Sequence, residues 1–186
     1  MTQLHTPPPS TRPVLEVRGI TKRFPGVQAL DDVSLDFLPG EVHAVIGENG
    51  AGKSTLMKIM VGAYTPDSGE ILLDGQKVVF AHPREAQSRG LSIIYQEFNL
   101  LSERTVAQNI FLGREPARFG LVDTRQMNRR ATDVLRELGA EHLIAPTAIL
   151  HTLSVAEQQI VEIAKAISLD AKVLIMDEPT AALTVT

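Results

Sequence analysis

The chain has 186 residues, of which 44% are hydrophobic and 22% charged, with 18 basic against 22 acidic residues and a formal net charge of −4. This mildly acidic balance argues against a surface that coats nucleic acid, and the absence of cysteine excludes disulfides and cysteine-ligated metals. No apolar run approaches the roughly 18 residues of a membrane-spanning helix, and residues 1–13 lack the apolar core of a secretory signal.

The first third of the chain is predicted to consist mainly of strands, after a proline-rich lead-in over residues 1–13 that we expect to be disordered. Apolar patterning predicts half-buried strands over 15–17 and 33–37, a short buried strand over 42–46, and strands over 70–74 and 77–80 joined by a tight Asp74-Gly75 turn. We interpret this part as partly antiparallel strands around one strand–loop–helix unit.

The rest of the chain is predicted to be largely helical. In chain order the pattern predicts a helix over 83–89, a strand over 91–95, helices over 105–112 and from Asp123 to Gly139, a long helix capped by Ser154, and an apolar strand over 173–176. A loop with Pro116 and Gly120 precedes Asp123. The stripe expected to form core on the Asp123 helix is Met127, Ala131, Val134, Leu135 and Leu138. On the last helix, the residues expected to face inward are Ile160, Ile163, Ala164 and Ile167.

The most specific motif is the run Gly-Glu-Asn-Gly-Ala-Gly-Lys-Ser at residues 47–54, which fits the phosphate-binding pattern G-x-x-x-x-G-K-[ST]. Glycines allow backbone angles that side chains forbid, so the loop amides can cradle phosphate oxygens. Lys53 is expected to reach the terminal phosphates of a nucleotide, and the Ser54 hydroxyl to hold Mg²⁺. A helix from Thr55 onward would favour negative charge at its start. The predicted nucleotide contacts are Gly47, Glu48, Asn49, Gly50, Ala51, Gly52, Lys53, Ser54 and Thr55.

Two carboxylates, Asp177 and Glu178, directly follow the apolar run 173–176. Ending a buried strand in two charges is costly unless the charges are paired or used. With a phosphate loop upstream, we expect Asp177 to support the Mg²⁺ shell and Glu178 to orient and activate an attacking water.

Two further residues are ambiguous from their own context. Gln96, just past the strand over 91–95, could offer a carbonyl oxygen to Mg²⁺ or to the water, although a lone glutamine is usually a solvated loop residue. Phe24, beside Pro25-Gly26, could stack on a purine ring or serve as a core or turn aromatic.

Together these residues resemble the nucleotide-binding domain of ATP-binding cassette (ABC) transporters, and most of all the first cassette of sugar-import ATPases for ribose, galactose or xylose. The resemblance covers about residues 14–186, with a helical subdomain at about 97–168. Its motifs, in the family's order, are an aromatic opening at 22–30, the Walker A loop at 47–54, a Q-loop at 94–97, a signature at 153–159, Walker B with the catalytic glutamate at 177–180, and the D-loop position at 181–184. The flank at 161–166 is typical of the sugar group.

The resemblance implies an α/β P-loop NTPase core with an antiparallel β-subdomain and a helical subdomain, and an ATPase that uses ATP and Mg²⁺. It implies catalytic roles for Glu178, Lys53 and Gln96, metal binding by Ser54, Gln96 and Asp177, an adenine contact by Phe24, and an ATP contact by Ser154. The implied partners are a second cassette, a transmembrane permease and a periplasmic or extracellular sugar-binding protein, with no nucleic acid. The implied location is peripheral, on the cytoplasmic face of the cell membrane.

Two departures from the family pattern leave alternatives open. The usual signature Leu-Ser-Gly-Gly-Gln carries Val155, Ala156 and Glu157 in place of Gly-Gly-Gln, and a glutamate near a γ-phosphate would repel it unless it points away. The chain also ends before the family's switch histidine, so we expect an N-terminal fragment, incomplete at the C-terminus, whose strand over 173–176 exposes an edge. The alternatives are a truncated cassette that binds nucleotide without turnover, or a soluble ABC ATPase outside transport.

Overall fold

The computed structural model of the protein describes residues 12–95 and 99–177. The chain divides into two compact units between Leu91 and Ser92. The first unit contains β1 (Leu15–Phe24), β2 (Val27–Phe37), α1 (Lys53–Met60), β3 (Ser68–Leu73), β4 (Gln76–Val78) and α2 (Pro83–Ser88). Strand β5 (Leu91–Ile94) crosses the division. The second unit contains α3 (Val106–Ile110), β6 (Ala117–Arg118), β7 (Leu121–Val122), α4 (Thr124–Glu137), a 3₁₀ helix (Leu150–Thr152), α5 (Val155–Ile167) and β8 (Val173–Met176).

The first unit is built on a four-stranded antiparallel sheet with the order β2-β1-β3-β4. Leu15, Val17 and Ile20 of β1 are completely buried, as expected for the central part of the sheet. Strands β3 and β4 meet at Asp74 and Gly75, whose φ angles of 51° and 75° are those that a tight two-residue hairpin requires. The predicted antiparallel strands and the Asp-Gly turn are therefore confirmed.

The predicted buried strand over residues 42–46 is wrong in this structure. Residues 41–48 adopt no regular secondary structure, and Val42 and Ile46 are 100% and 91% exposed. An apolar run becomes a strand only where a neighbour satisfies its backbone groups. Within residues 12–95 and 99–177, no strand pairs with this segment. The loop of residues 47–54 is therefore held by the helix that follows it.

Strands β5 and β8 form a separate two-stranded sheet, which confirms the strands predicted over 91–95 and 173–176. The backbone N–H of Asp177 donates to the carbonyl oxygen of Ile94 at 3.0 Å. This bond places the residue after β8 beside the end of β5.

Three helices, α3, α4 and α5, enclose the core of the second unit. Buried residues of this core include Val106, Ile110, Met127, Ala131, Leu135, Val161 and Ala164. The stripe predicted on α4 is confirmed, since Met127, Ala131 and Leu135 are buried and Val134 and Leu138 pack against the same cluster. On α5 the prediction is only partly right. Ala164 is buried, but Ile160, Ile163 and Ile167 are half-buried, because Val161 and Ala164 provide the face that packs into the core.

The connection between α3 and α4, expected to be a loop, contains a small hairpin. Strands β6 and β7 pair through Ala117↔Val122 and Arg118↔Leu121. The two turn residues, Phe119 and Gly120, have φ angles of 53° and 80°, the combination of a type I′ turn. The sequence did not indicate this hairpin because asparagine or aspartate normally precedes glycine in such a turn. No helix in the part of the chain described here is long and apolar enough to cross a membrane.

Candidate functional site

The loop of residues 47–54 turns sharply through two left-handed glycines and enters α1 directly. Gly50 and Gly52 have φ angles of 85° and 86°, which would cost another residue about 1–2 kcal/mol each. The N–H of Ala51 donates to the carbonyl oxygen of Glu48 at 3.1 Å and closes the turn. Gly52 is the N-cap of α1 and offers no side-chain acceptor. The first N–H groups of α1 therefore lack a side-chain cap, and a helix start of this kind favours an anion.

Gly52 is also required for space. A Cβ at this position would overlap the carbonyl oxygen of Ala29 and lie 2.8 Å from Cδ2 of Leu30. The start of α1 is thus pressed against the backbone of β2. A Cβ at Gly50 would meet nothing within 4 Å, so the two glycines share a backbone angle but differ in packing.

Lys53, the first residue of α1, folds back over the loop. Its Nζ donates to the carbonyl oxygens of Gly47 at 2.8 Å and Glu48 at 2.9 Å. An ammonium group has three N–H donors, so these two bonds leave one donor for a further acceptor. Ser54 and Thr55 are the next two residues of α1 and are half-buried. Asn49 lies in the exposed part of the loop. The predicted phosphate-binding residues 47–55 thus form one continuous loop and helix start.

Phe24 lies at the end of β1, where the chain turns into β2. Its ring meets the ring of Tyr64 edge-on, with centroids 5.6 Å apart and an interplanar angle of 69°. Lys22 Nζ lies 5.6 Å from the Phe24 ring centroid, and Lys58 Nζ lies 5.5 Å from that of Tyr64. The two rings and two ammonium groups form a half-exposed patch in the same unit as the phosphate loop. Such a patch can receive a flat aromatic group that carries negative charge.

Ser154 is the N-cap of α5 and forms a reciprocal capping box with Glu157. The Glu157 N–H donates to Ser154 Oγ at 3.3 Å, and the Ser154 N–H donates to Glu157 Oε2 at 2.8 Å. The Ser154 hydroxyl also donates to Glu157 Oε2, at 2.7 Å. The bonds from the Ser154 hydroxyl and backbone N–H lower the pKa of Glu157 below its ordinary value. Glu157 is therefore ionised at neutral pH. Its carboxylate accepts the hydrogen bond from the Ser154 hydroxyl that a bound nucleotide phosphate would otherwise accept.

Asp177 follows β8 and is 6% exposed. Its backbone is fixed by the bond to Ile94 at the end of β5. The other two residues predicted for this part of the site, Gln96 and Glu178, lie outside the described residues, as does the D-loop position at 181–184. The roles of these residues stay predictions.

One set of contacts was not anticipated from the sequence. The backbone N–H of Asn99 donates to Glu162 Oε1 at 2.6 Å, and Lys165 Nζ donates to the Asn99 carbonyl oxygen at 2.7 Å. Glu162 is only 8% exposed. Two side chains on α5 thus hold both backbone polar groups of the residue just after segment 96–98. The available signal was the pair of charges within the apolar stretch 161–166.

The donor chemistry of the predicted metal set suits Mg²⁺ bound together with a nucleotide. Ser54, Gln96 and Asp177 would supply a hydroxyl, an amide carbonyl and a carboxylate, which are oxygen ligands of the kind that Mg²⁺ uses alongside phosphate oxygens and water. Among the residues that the structure describes, no three histidine, aspartate or glutamate side chains group to enclose a metal. The described residues alone therefore offer no complete cage.

Comparisons with known proteins agree on one family for this chain. Residues 30–181 match the family described as "ABC transporter". The chain is 60% identical over 172 residues to the ribose import ATP-binding protein RbsA 1 of Rubrobacter xylanophilus, covering 92% of this chain and 34% of that protein. It is 55% identical over 176 residues to a putative ribose/galactose/methyl galactoside import ATP-binding protein of Burkholderia ambifaria, covering 95% of this chain and 34% of that protein. The chain spans about a third of the length of these curated relatives.

Solved structures agree with this assignment. The crystal structure of an ATP-binding cassette of an ABC transporter in its ADP conformation superposes with a TM-score of 0.80 at 28% identity, covering 95% of this chain and 72% of that one. A nucleotide-free cassette superposes with a TM-score of 0.77 at 27% identity, covering 91% of this chain and 70% of that one. The α/β P-loop fold predicted from the sequence is confirmed.

The two glycines of the loop allow a matched test of its packing. We expect Gly52→Ala to destabilise the protein by about 1–3 kcal/mol more than Gly50→Ala, because both variants pay for a left-handed residue but only the first forces a Cβ into the Ala29 carbonyl. Urea unfolding of both variants measures the difference. Equal destabilisation would show that α1 is not held against β2 in this way.

Proposed function

We propose, because this chain belongs to the ABC transporter family, that it binds ATP and that the protein carrying it hydrolyses ATP to drive import of a sugar. The observation that carries the proposal is the loop of residues 47–54, with its two left-handed glycines, its uncapped helix start and the ammonium group of Lys53 above it. Only glycine fits at position 52. The backbone N–H groups of the resulting loop can bind phosphate oxygens.

In this proposal, the loop amides and Lys53 hold the β and γ phosphates, with Gly47, Glu48, Asn49, Gly50, Ala51, Gly52, Ser54 and Thr55 forming the rest of the cradle. Lys53 exchanges its bonds to the carbonyl oxygens of Gly47 and Glu48 for bonds to phosphate oxygens, which are charged and hence stronger acceptors. Phe24 contacts the adenine ring from the patch that it shares with Tyr64.

Mg²⁺ would be held by Ser54, Gln96 and Asp177 and would neutralise charge that develops on the phosphate oxygens. Glu178 positions the attacking water and accepts its proton. The backbone bond of Asp177 to Ile94 at the end of β5 supports this role, because Gln96 follows β5 in the chain.

Ser154 would contact the γ-phosphate of an ATP bound to a second cassette, as the family resemblance implies. The Glu157 carboxylate stands in the way, because it is ionised and accepts the Ser154 hydroxyl proton. Binding of that phosphate requires Glu157 to rotate away, which gives up half of the capping box. The departure from the usual signature therefore weakens closure of the site and does not abolish it.

The relatives named as ribose or ribose/galactose import proteins support a sugar as the transported substrate. Transport requires a transmembrane permease, a second cassette and an external sugar-binding protein as partners. In this proposal the protein is a peripheral subunit at the cytoplasmic face of the cell membrane. The relatives do not favour hydrolysis without transport or nucleotide binding without turnover, since both are named as import ATP-binding proteins.

Removal of the Lys53 charge tests nucleotide binding. We expect Lys53→Met to weaken binding of a fluorescent ATP analogue by about 10- to 100-fold, because a charged hydrogen bond to phosphate is lost. The matched control is Lys77→Met, which removes the same charge from β4 in the same unit, outside both the loop and the aromatic patch. A similar loss in both variants would contradict a specific role for Lys53.

Hydrolysis is tested separately at Glu178. We expect Glu178→Gln to lower phosphate release by the intact protein about 100-fold or more while the affinity for ATP stays within about twofold, because a general base acts on the chemical step. The readout is steady-state phosphate release together with equilibrium nucleotide binding. Unchanged phosphate release would remove Glu178 from the mechanism.

The capping box yields a third test. Glutamine at the third helical position preserves a capping box, so Glu157→Gln should fold normally while it removes the negative charge beside Ser154. We expect its ATP hydrolysis to rise roughly two- to fivefold at low salt and less at high salt, since the charge lies at an exposed site. Glu137→Gln, an exposed charge change on α4, is the control. A fall in the rate with Glu157→Gln would mean that the carboxylate assists the site.

A further inference from the structure

We propose that the hairpin β6–β7 and the first two turns of α4 form a membrane-contacting surface, with Phe119 entering the headgroup region of an anionic bilayer. This surface, called the hairpin surface below, comprises residues 117–130. The inference goes beyond the nucleotide site and uses none of its residues.

The first observation is the exposure of three apolar side chains at the hairpin. Phe119, Leu121 and Val122 are 93%, 76% and 54% exposed. Phe119 lies in the two-residue turn, and Leu121 and Val122 form the short strand β7 that follows it. Leaving this much apolar area in water is unfavourable, and the arrangement suits an apolar medium into which a narrow tip can be inserted.

The second observation is the conformation of Phe119. Its φ angle of 53° lies in the left-handed region, which is unfavourable for a bulky side chain and which type I′ turns normally fill with asparagine, aspartate or glycine. The phenylalanine therefore weakens its own turn and gains no burial in return. A residue that costs the fold stability at an exposed tip points to a role outside the fold.

The hairpin is nevertheless held firmly at its base. The Asp123 N–H donates to the carbonyl oxygen of Pro116 at 2.7 Å and closes the hairpin. Arg114 donates to the carbonyl oxygens of Ile110 and Ser168, each at 3.0 Å, and to Ser168 Oγ at 2.9 Å. The base is thus tied to α3 and to the end of α5. A fixed base lets the tip keep one direction, which insertion into a surface requires.

The third observation is charge. Residues 117–130 contain four arginines and one acidic residue, a net charge of +3, whereas the other 172 residues carry 14 basic and 21 acidic residues, a net charge of −7. Arg125 and Arg129 are four residues apart, so they share one face of α4, and both are exposed. Neither they nor Arg130 form an ion pair in the part of the chain described here.

An anionic lipid surface complements this distribution better than a second protein does. Arginines beside an apolar tip can bind headgroup phosphates while their stems lie against the acyl boundary. Arg118 already stands over the Phe119 ring, 5.3 Å from its centroid, so its charge accompanies the tip. The strongly negative remainder of the chain would be repelled by the same surface, and the hairpin surface would therefore face the membrane.

The test is sedimentation of the intact protein with vesicles of phosphatidylcholine, with and without phosphatidylglycerol. We expect binding to the anionic vesicles, weakened by salt and by about fivefold for each arginine removed in Arg125→Gln and Arg129→Gln. Phe119→Asn should reduce binding about tenfold while it keeps or improves folding, because asparagine suits the turn. Leu143→Asn, which alters a 65% exposed leucine elsewhere in the second unit, should leave binding unchanged.

A spectroscopic reporter adds an independent readout. The sequence contains no tryptophan, so Phe119→Trp introduces an indole whose emission should shift to shorter wavelength only with anionic vesicles. Nucleotide binding by each variant checks that it is folded. The proposal is overturned if wild-type protein ignores both vesicles, if Phe119→Asn binds as wild type does, or if the indole emission does not move. Binding only to vesicles that hold the permease would identify a protein contact and overturn it as well.

Discussion

The backbone turn that carries the chain from the loop of residues 47–54 into α1 is the constraint on which the nucleotide site depends. Two features are found there. Gly50 and Gly52 have left-handed backbone angles, and Gly52 lies close to the carbonyl of Ala29. The approach fixes the first turn of α1 against β2, and the turned loop brings the carbonyl oxygens of Gly47 and Glu48 within reach of Lys53 Nζ. Phe24 belongs to the hairpin that leads into β2. One glycine therefore connects the phosphate-binding loop to the strand whose hairpin carries the aromatic patch.

The second unit uses polar side chains of α5 for two purposes at once. At the start of the helix, Glu157 caps the backbone and at the same time occupies the hydroxyl of Ser154. Two turns further on, Glu162 and Lys165 hold the backbone of Asn99. The same helix thus links the signature segment to the residue that follows segment 96–98. A shift of α5 along its axis would change the geometry of the bonds at both places.

The hairpin surface shows the opposite balance between stability and use. In the loop of residues 47–54, glycine takes the left-handed positions and the strain is small. In the hairpin β6–β7, phenylalanine takes the first of two such positions, which lowers the stability of the fold. A firm base formed by Arg114 and Asp123 makes that cost tolerable.

Much of this protein could be predicted from the order of its residues, because the controlling interactions are local. The phosphate loop, the Asp74-Gly75 turn, the Asp123 and Ser154 caps and the apolar stripe of α4 each depend on residues within a few positions of one another. The run 42–46 shows the limit of such reasoning, since apolar character is a local property whereas pairing needs a neighbouring strand. The same holds for Phe119, whose turn type is visible only in the backbone angles, and for the contacts of Glu162 and Lys165 with Asn99, which join positions more than 60 residues apart. The sequence by itself determined the family, the loop and the helix starts. Only the tertiary structure decided which polar groups meet across the chain and which apolar side chains remain in water, because both depend on long-range packing.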